Sequence, residues 1–403
     1  MKQLILSTVV TLALISCSSS HTEDPHQPRR ITAAGETADY LQITQSPGGQ
    51  FVAWWVEQDP HSGDNYVYFS RSANDSLSFG ESRRIPSSRE INAGGEHMPK
   101  LIIKPDGTWV LIFARRNANS EAHFASSVLY THSFDGGDTW TTSQLIHTDA
   151  DPDNSHGFPE AVLLPDGEVA AVWLDGRHHL DHSTLYFAKT DGKNGFGTDK
   201  QIGGPACQCC KLDMYVDQTE MLHLVYRGLT GDNIRDIQHI ASDDNGESFS
   251  PPARVSRDNW QIRACPHNGP SITRTGDELY VTWYSEGGGK GLYYATSENN
   301  GLSFSPRTKL TSQAKHPYIA SFGHSALAIW DEVYQHDQET YRRIRMHVVS
   351  DKKKTQPEYI TPLHTDAFMP YLFRTDDGEI IASWTQTSGN ENELYYQTFT
   401  ARQ

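Results

Sequence analysis

Histidine, cysteine, arginine and carboxylate residues recur at equivalent points along this sequence. A histidine or a cysteine pair precedes several apolar, strand-like segments: His97, His156, Cys209 with Cys210, His267 and His316. Arginines and acids end the segments that follow, namely Arg115, Arg116, Asp175, Arg177, Arg227, Glu286, Asp331 and Glu332, and Arg235 opens a further one. Imidazoles and carboxylates act as acids and bases, and guanidinium groups bind carboxylates. The pattern indicates an acid–base site with an anionic ligand, provided that the fold brings these residues together.

The segments that carry these residues form a repeat of roughly 50–60 residues. Each unit has a first strand, a turn such as Pro105-Asp-Gly107 or Pro165-Asp-Gly167, and an apolar second strand that ends in an aromatic residue. A third and a fourth strand follow, and no long 3.6-residue period interrupts the β pattern. Four antiparallel strands per unit, repeated radially, predict an all-β fold with a single β-propeller.

We count seven second strands, which predicts seven blades, with six as the alternative. The last unit stops after three strands, and the segment from Arg29 would complete it and close the ring. The starts of the first strands and the ends of the second strands lie on one face of such a ring. The acids, bases and cations are therefore expected around its central mouth.

A turn phrase recurs between the third and fourth strands. It reads Ser133-Phe-Asp135-Gly-Gly137-Asp-Thr139-Trp140, with weaker copies from Ser242, Ser297 and Ser72. The phrase resembles the Asp-box, or bacterial neuraminidase repeat, of sialidases and their relatives. The Asp and Gly suit a tight structural turn on the face opposite the mouth. The family usually has six blades, so a seventh is a departure from its pattern.

The resemblance implies an exo-glycosidase that acts on an anionic sugar, with arginines on the substrate carboxylate, a Tyr/Glu nucleophile pair and an Asp acid/base. Tyr318, or Tyr284 in its place, is the candidate nucleophile, and Asp175 or Glu160 is the candidate acid/base. The expected substrate-binding residues are Arg116, Arg177, Arg227, Arg235, His97, His156 and His267. A lyase variant is open, in which His or Tyr removes the proton beside a uronate carboxylate. The family's inner Arg-Ile-Pro phrase is not carried over, because Arg84-Ile85-Pro86 is predicted to lie on an outer strand.

The N-terminal residues predict export. Lys2 and an apolar stretch from Leu4 to Ile15 form a signal peptide over residues 1–16, too short to span a membrane. Leu14-Ile15-Ser16-Cys17 resembles a bacterial lipobox, which implies lipidation of Cys17 and a place in the bacterial cell envelope at the outer membrane. Residues 17–28 would form a flexible tether, and residues 29–403 the propeller.

Four further cysteines stand in two segments that enter successive repeats, Cys207-Gln-Cys209-Cys210 and Cys265-Pro-His267. In an exported protein an even set favours disulfides. The expected bridge joins Cys209 or Cys210 to Cys265, with a vicinal or Cys207-containing bridge for the others. The alternative is a soft-metal site formed by Cys209, Cys210, Cys265 and His267. No other cofactor is expected.

The charge balance excludes one class of partner and leaves three classes of function. With 34 Lys and Arg against 50 Asp and Glu, the chain lacks the basic surface that nucleic acids require. A carbohydrate is the expected partner, together with the membrane reached through the lipid anchor, and the protein is expected to be a monomer. The interpretations are a glycan-active enzyme, a non-catalytic lipoprotein that binds a glycan or protein, and a metal-binding periplasmic propeller.

Overall fold

The computed structural model describes residues 27–31, 37–73, 76–178, 181–349 and 355–401. The predicted signal peptide and Cys17 lie outside these residues. Within them the chain forms strands and two short 3₁₀ turns, Pro86–Ser88 and Gly231–Asn233, and contains no α-helix. No helix in these ranges is long and apolar enough to cross a membrane. The all-β prediction is confirmed.

Twenty-eight strands follow one another along the described chain. The first is β1 (Arg29–Arg30). Blade 1 comprises β2 (Asp39–Gln45), β3 (Phe51–Gln58), β4 (Asn65–Arg71) and β5 (Arg83–Arg84). Blade 2 comprises β6 (Lys100–Ile103), β7 (Trp109–Arg116), β8 (Ser126–Ser133) and β9 (Gln144–Leu145). Blade 3 comprises β10 (His156–Leu163), β11 (Val169–Asp175), β12 (Ser183–Lys189) and β13 (Lys200–Ala206).

Blade 4 comprises β14 (Asp213–Val216), β15 (Leu222–Arg227), β16 (Ile237–Ser242) and β17 (Ala253–Arg254). Blade 5 comprises β18 (Ser271–Thr275), β19 (Glu278–Ser285), β20 (Gly291–Ser297) and β21 (Thr308–Thr311). Blade 6 comprises β22 (Lys315–Phe322), β23 (Ser325–His336), β24 (Glu339–Val349) and β25 (Glu358–Tyr359). Blade 7 comprises β26 (Asp366–Arg374), β27 (Ile380–Ser388) and β28 (Glu391–Phe399).

The seven sheets form a closed ring. Blade 7 takes its outer strand from the other end of the chain, because β1 pairs with β28 in the order β1-β28-β27-β26. The first strands of neighbouring blades touch from blade 2 through blade 7 to blade 1, and one apolar cluster joins blade 1 to blade 2. The prediction of seven four-stranded blades closed by the N-terminal strand is therefore confirmed. Arg84 lies on the outermost strand of blade 1, as predicted, so the Arg-Ile-Pro phrase does not reach the axis.

The core lies between the blades and depends on a large aromatic residue in each second strand. Five of these side chains are fully buried indoles: Trp55, Trp173, Trp283, Trp330 and Trp384. Phe113 and Tyr226 take the same role in blades 2 and 4. A buried indole N–H needs an acceptor, and in Trp173 and Trp330 a carboxylate two residues further on supplies it. Part of the acidic pattern at the strand ends is thus explained by the core.

The Asp-box turns connect the third and fourth strands, as expected. In the first copy Gly137 N–H bonds to Ser133 Oγ at 2.8 Å, and Thr139 N–H bonds to Asp135 Oδ1 at 2.9 Å. Hydrogen bonds from Thr139 and Ser133 lower the pKa of Asp135 to about 2. Gly137 has a φ of 95°, and a Cβ there would stand 2.8 Å from the Phe69 ring. These residues shape turns on the face opposite the mouth.

Ring closure should depend strongly on Ile31. This side chain is 2% exposed and packs with the core of blades 1 and 7, and its N–H bonds to Leu394 O at 2.8 Å. We expect Ile31→Ala to lower the free energy of unfolding by about 2 kcal/mol, at the lower end of the range for buried apolar truncations. Urea unfolding measures the effect. Leu302→Ala, at a side chain 75% exposed, is the control, and an equal loss in both variants would contradict this role for Ile31.

Candidate active site

We call the face formed by the starts of the first strands and the ends of the second strands the mouth face. All the acids, bases and cations singled out in the sequence lie on it or just below it. Several of them fall into three groups: a buried cluster in blade 3, Glu160 and Tyr318 on the innermost strands, and the cysteines where the chain enters blades 4 and 5. An open cavity lies beside the third group.

His156, Asp175 and Arg177 form a buried ion-paired cluster. His156 Nδ1 lies 3.0 Å from Asp175 Oδ2, and Arg177 donates to both carboxylate oxygens at 2.9 and 2.7 Å. Trp173 Nε1 donates to the same carboxylate at 2.8 Å, and Arg177 also pairs with Asp199. Burial alone would raise the pKa of Asp175, but the bonds and charges of His156 and Arg177 hold it well below its ordinary value. With its acceptor sites occupied, the carboxylate stabilises blade 3.

Glu160 and Tyr318 lie on the innermost strands. Glu160 on β10 pairs with Lys100 on β6 at 2.7 Å, and both side chains are buried. Tyr318 on β22 contacts Lys211, whose Nζ stands 3.9 Å from the centre of the ring. Its buried hydroxyl has no hydrogen-bond partner among the described residues. Burial raises the pKa of both Glu160 and Tyr318, and the charge of Lys100 opposes the rise for Glu160.

The four candidate arginines do not converge. Arg116 is exposed at the end of β7, and Arg177 belongs to the blade 3 cluster. Arg227 is buried, and its guanidinium donates to three backbone carbonyls, those of Arg235, Asn268 and Tyr284. Arg235 donates to Cys207 Sγ at 3.1 Å. The fold therefore brings together no anion clamp from these four residues.

His97 and His267 lie near each other at the mouth. The His97 ring contacts Phe158 with 5.0 Å between ring centres, whereas His267 is exposed. Burial, together with the charges of His267 and Arg116, lowers the pKa of His97 to about 4. His97 is therefore neutral at physiological pH and is a weaker base than a free histidine.

The predicted disulfide is not present. Cys207, Cys209, Cys210 and Cys265 are all free thiols. Sγ of Cys207 lies 3.6 Å from that of Cys209 and 3.7 Å from that of Cys210, well beyond the S–S bond length of about 2.05 Å. Hydrogen bonds from the two neighbouring thiols, with the charges of Arg227 and Arg235, lower the pKa of Cys207. The segment places three sulfur atoms side by side without joining them.

An open cavity of about 350 Å³ lies on the mouth face between blades 5 and 6. Its aromatic wall comes from Trp260 and Tyr284, whose ring centres are 6.0 Å apart. Charged side chains line the remainder: Glu286, Lys290, Lys315, Asp331, Glu332 and Arg342. A cavity with aromatic walls and groups of both charges suits a sugar ring that bears a carboxylate.

Tyr284 and Glu286 form a hydrogen-bonded pair in this wall. The Tyr284 hydroxyl donates to Glu286 Oε1 at 2.6 Å, and Lys290 Nζ lies 3.7 Å from the same oxygen. Burial, and then the bond to Glu286, raises the pKa of Tyr284 above its ordinary value. The hydroxyl is therefore protonated at neutral pH, and Glu286 is the base positioned to take its proton.

Asp331 and Arg342 complete the charged lining. Asp331 Oδ1 lies 2.6 Å from His316 Nδ1. Burial would lower the pKa of His316, but the Asp331 carboxylate outweighs it and raises the value. Arg342 forms a two-point ion pair with Asp366. Asp331, which is bonded to the buried His316, and Arg342 thus line the cavity together with the tyrosine.

The repeat pattern in the sequence singles out Tyr284, Glu286 and Asp331 but misses Trp260, Lys315 and Arg342. Arg342 reaches the cavity because β23 and β24 are twelve and eleven residues long, so their hairpin extends over the mouth face. The available signal for that length was the pair Val333-Tyr334, which continues the strand-forming composition beyond the apolar stretch that ends at Trp330.

No protein-family model matches the chain, and a comparison with curated proteins finds no match. Solved structures do match. A protein of unknown function from Dyadobacter fermentans is 17% identical, with a TM-score of 0.51 over 77% of this chain and 97% of its own. The intramolecular trans-sialidase of Ruminococcus gnavus is 10% identical, with a TM-score of 0.53 over 93% and 98%. The polysaccharide lyase Uly1 is 12% identical, with a TM-score of 0.56 over 96% and 94%.

At these identities the likeness concerns the fold and assigns no role to any residue. The chain therefore has a β-propeller fold similar to that of these structures, and its ring has seven blades.

Proposed function

We propose that the protein binds an acidic carbohydrate in the cavity between blades 5 and 6 and cleaves it with Tyr284 as the reacting group. The observation that carries the proposal is the 2.6 Å bond from Tyr284 to Glu286 in the wall of an open cavity lined by Lys315 and Arg342. Proteins of this fold include a trans-sialidase and a polysaccharide lyase. Both names denote chemistry on carbohydrates.

In the hydrolytic form of the reaction, the cations hold the sugar carboxylate and the Trp260 ring packs against the pyranose face. Tyr284 Oη attacks the anomeric carbon as Glu286 takes the phenolic proton, and the bond to the leaving oxygen breaks. The proton that the leaving group requires passes from His316 to Asp331, which lines the cavity, and from Asp331 to the leaving oxygen. Water then hydrolyses the glycosyl–tyrosine bond. Glu286 returns the phenolic proton to Tyr284, and the proton released by the water restores the His316–Asp331 pair.

The same groups allow a lyase reaction. There Tyr284, once Glu286 has taken its phenolic proton, would remove the proton beside a uronate carboxylate, and the glycosidic oxygen would leave without entry of water. The products separate the two reactions, because elimination leaves an unsaturated sugar and hydrolysis does not. We favour hydrolysis because the tyrosine already has a carboxylate base at 2.6 Å, as a Tyr/Glu nucleophile pair requires.

Tyr284→Phe should lower kcat/KM by about 10²–10⁴-fold, because it removes the reacting oxygen and leaves the cavity otherwise intact. The assay uses fluorogenic sialosides and uronides with the purified protein, and absorbance of unsaturated products for polyuronides. Substrate binding by the variant, measured by calorimetry, should persist.

The matched control is Tyr280→Phe. Tyr280 lies on the same strand and donates to Glu278 at 2.9 Å across the same two-residue spacing, but at the opposite end of β19. It should retain full activity. The proposal is wrong if the parent protein neither cleaves nor binds any member of the panel, or if both variants are equally active.

A further inference from the structure

Five potential metal ligands meet where the chain enters blades 4 and 5. Sγ atoms of Cys207, Cys209 and Cys210 all lie within 4.8 Å of one another, and the three side chains are buried. Cys209 Sγ also lies within 4.8 Å of ligand atoms of Cys265 and His267, which are exposed. Cys209 thus belongs to both groups and joins them into one cluster, which we call the thiol cluster.

We propose that the thiol cluster binds one Zn²⁺ ion through Cys207, Cys209 and Cys210, with the fourth ligand supplied by Cys265 or His267. Structural zinc sites are tetrahedral and use four Cys or His ligands, with Zn–S bonds of about 2.3 Å. The edge of such a tetrahedron is about 3.8 Å. The observed sulfur separations from Cys207, 3.6 and 3.7 Å, are close to that edge.

The surroundings of the sulfur atoms suit a bound thiolate set. Three thiolates and one imidazole around Zn²⁺ carry one net negative charge, and Arg235 donates to Cys207 Sγ at 3.1 Å. Such bonds to ligand atoms orient them and tune the metal. Phe158 packs against the three cysteines and shields them from water. The site therefore has three sulfur ligands in place, its charge compensation and a dry side.

The metal would join two parts of the mouth face that are far apart in the chain. Cys207 to Cys210 precede β14 of blade 4, and Cys265 and His267 lie in the segment before β18 of blade 5. The same segment supplies Ile262, Pro266 and Asn268 to the cavity wall. A metal at the thiol cluster would hold this wall in place. The importance of that effect rests on the proposed function, but the metal site itself does not.

Elemental analysis of protein purified without chelator tests the proposal. We expect about one equivalent of zinc in the parent and its loss in Cys209→Ser. Replacement by Co²⁺ should produce the intense thiolate-to-metal absorption of a tetrahedral site. Chelator treatment should lower Tm, and added Zn²⁺ should restore it, which gives a readout on the intact sequence even where the variant does not fold.

His61→Ala is the control, because His61 is 95% exposed and distant from the cluster, and it should keep its zinc. Three results would overturn the proposal. One is a parent that contains no zinc and binds none on titration. Another is copper in place of zinc, and the third is a disulfide at Cys207 found by mass spectrometry. None of these depends on glycan cleavage, so the site and the proposed function can fail separately.

Discussion

Replacing Asp175 by asparagine should lower the free energy of unfolding by about 3–5 kcal/mol, the cost of removing one partner from a buried ion pair. The carboxylate accepts bonds from His156, Arg177 and Trp173, and its side chain is fully buried. An amide in its place cannot balance the Arg177 charge. Urea unfolding at neutral pH measures the loss, and Asp376→Asn, at an exposed turn, is the control.

The pH dependence of stability gives a second measurement on the same residue. Because the folded-state pKa of Asp175 is depressed, its contribution is fully present above the unfolded-state pKa of about 3.9. The contribution disappears as the pH falls toward the folded-state value. The parent should therefore lose stability in acid more steeply than Asp175→Asn. If the variant unfolds like the parent at every pH but loses activity, Asp175 is a catalytic residue rather than a structural one.

The propeller could be predicted because its determinants are local and repeated. Each Asp-box turn contains its own hydrogen-bond partners within a few residues, as Asp135 and Thr139 show. Each second strand contains its own core aromatic residue, such as Trp173. Ring closure could also be predicted from the sequence, because the segment at Arg29 had no partner strand and the last unit lacked one strand.

The mouth face could be predicted, but the partners of its residues could not be read from strand order alone. Trp173 and Asp175 are two residues apart on β11 and share one of its faces, and Arg177 follows in the turn directly after the strand, so the three can bond one another. That spacing was a usable sign of an internal cluster. The sequence around Glu160 gave no such sign, because its partner Lys100 lies on another blade. The contact between them depends on how neighbouring blades pack.

The cysteine spacing left both a disulfide and a metal site open, because it predicts that the sulfur atoms lie near one another but not the distances between them. Both a disulfide and a metal site need sulfur atoms within a few ångströms. The separations of 3.6 and 3.7 Å distinguish them, and they depend on the backbone between Ala206 and Leu212. The cavity was even harder to predict from the sequence, because the long β23–β24 hairpin and the segment before β18 form it together.

Glu96→Ala should lower the free energy of unfolding by about 3–5 kcal/mol, because each buried N–H left without an acceptor costs about 1–3 kcal/mol. Glu96 Oε2 accepts the N–H groups of Lys211 and Gly269, both at 2.8 Å, and so ties the segment before β6 to those that enter blades 4 and 5. Its charge also offsets the buried Lys211 ammonium, whose pKa burial lowers.

Two comparisons separate the effect of the two Glu96 hydrogen bonds from the effect of its negative charge. Glu96→Gln keeps an oxygen that can accept the two N–H groups, so it should lose much less stability than Glu96→Ala, and Glu90→Ala at an exposed side chain should lose almost none. Lys211 directly follows Cys210, and Gly269 lies two residues after His267. Loss of the two Glu96 hydrogen bonds should therefore also weaken zinc retention at the thiol cluster. Glu96→Ala protein that is as stable as the parent would show that the mouth face is held together without this carboxylate.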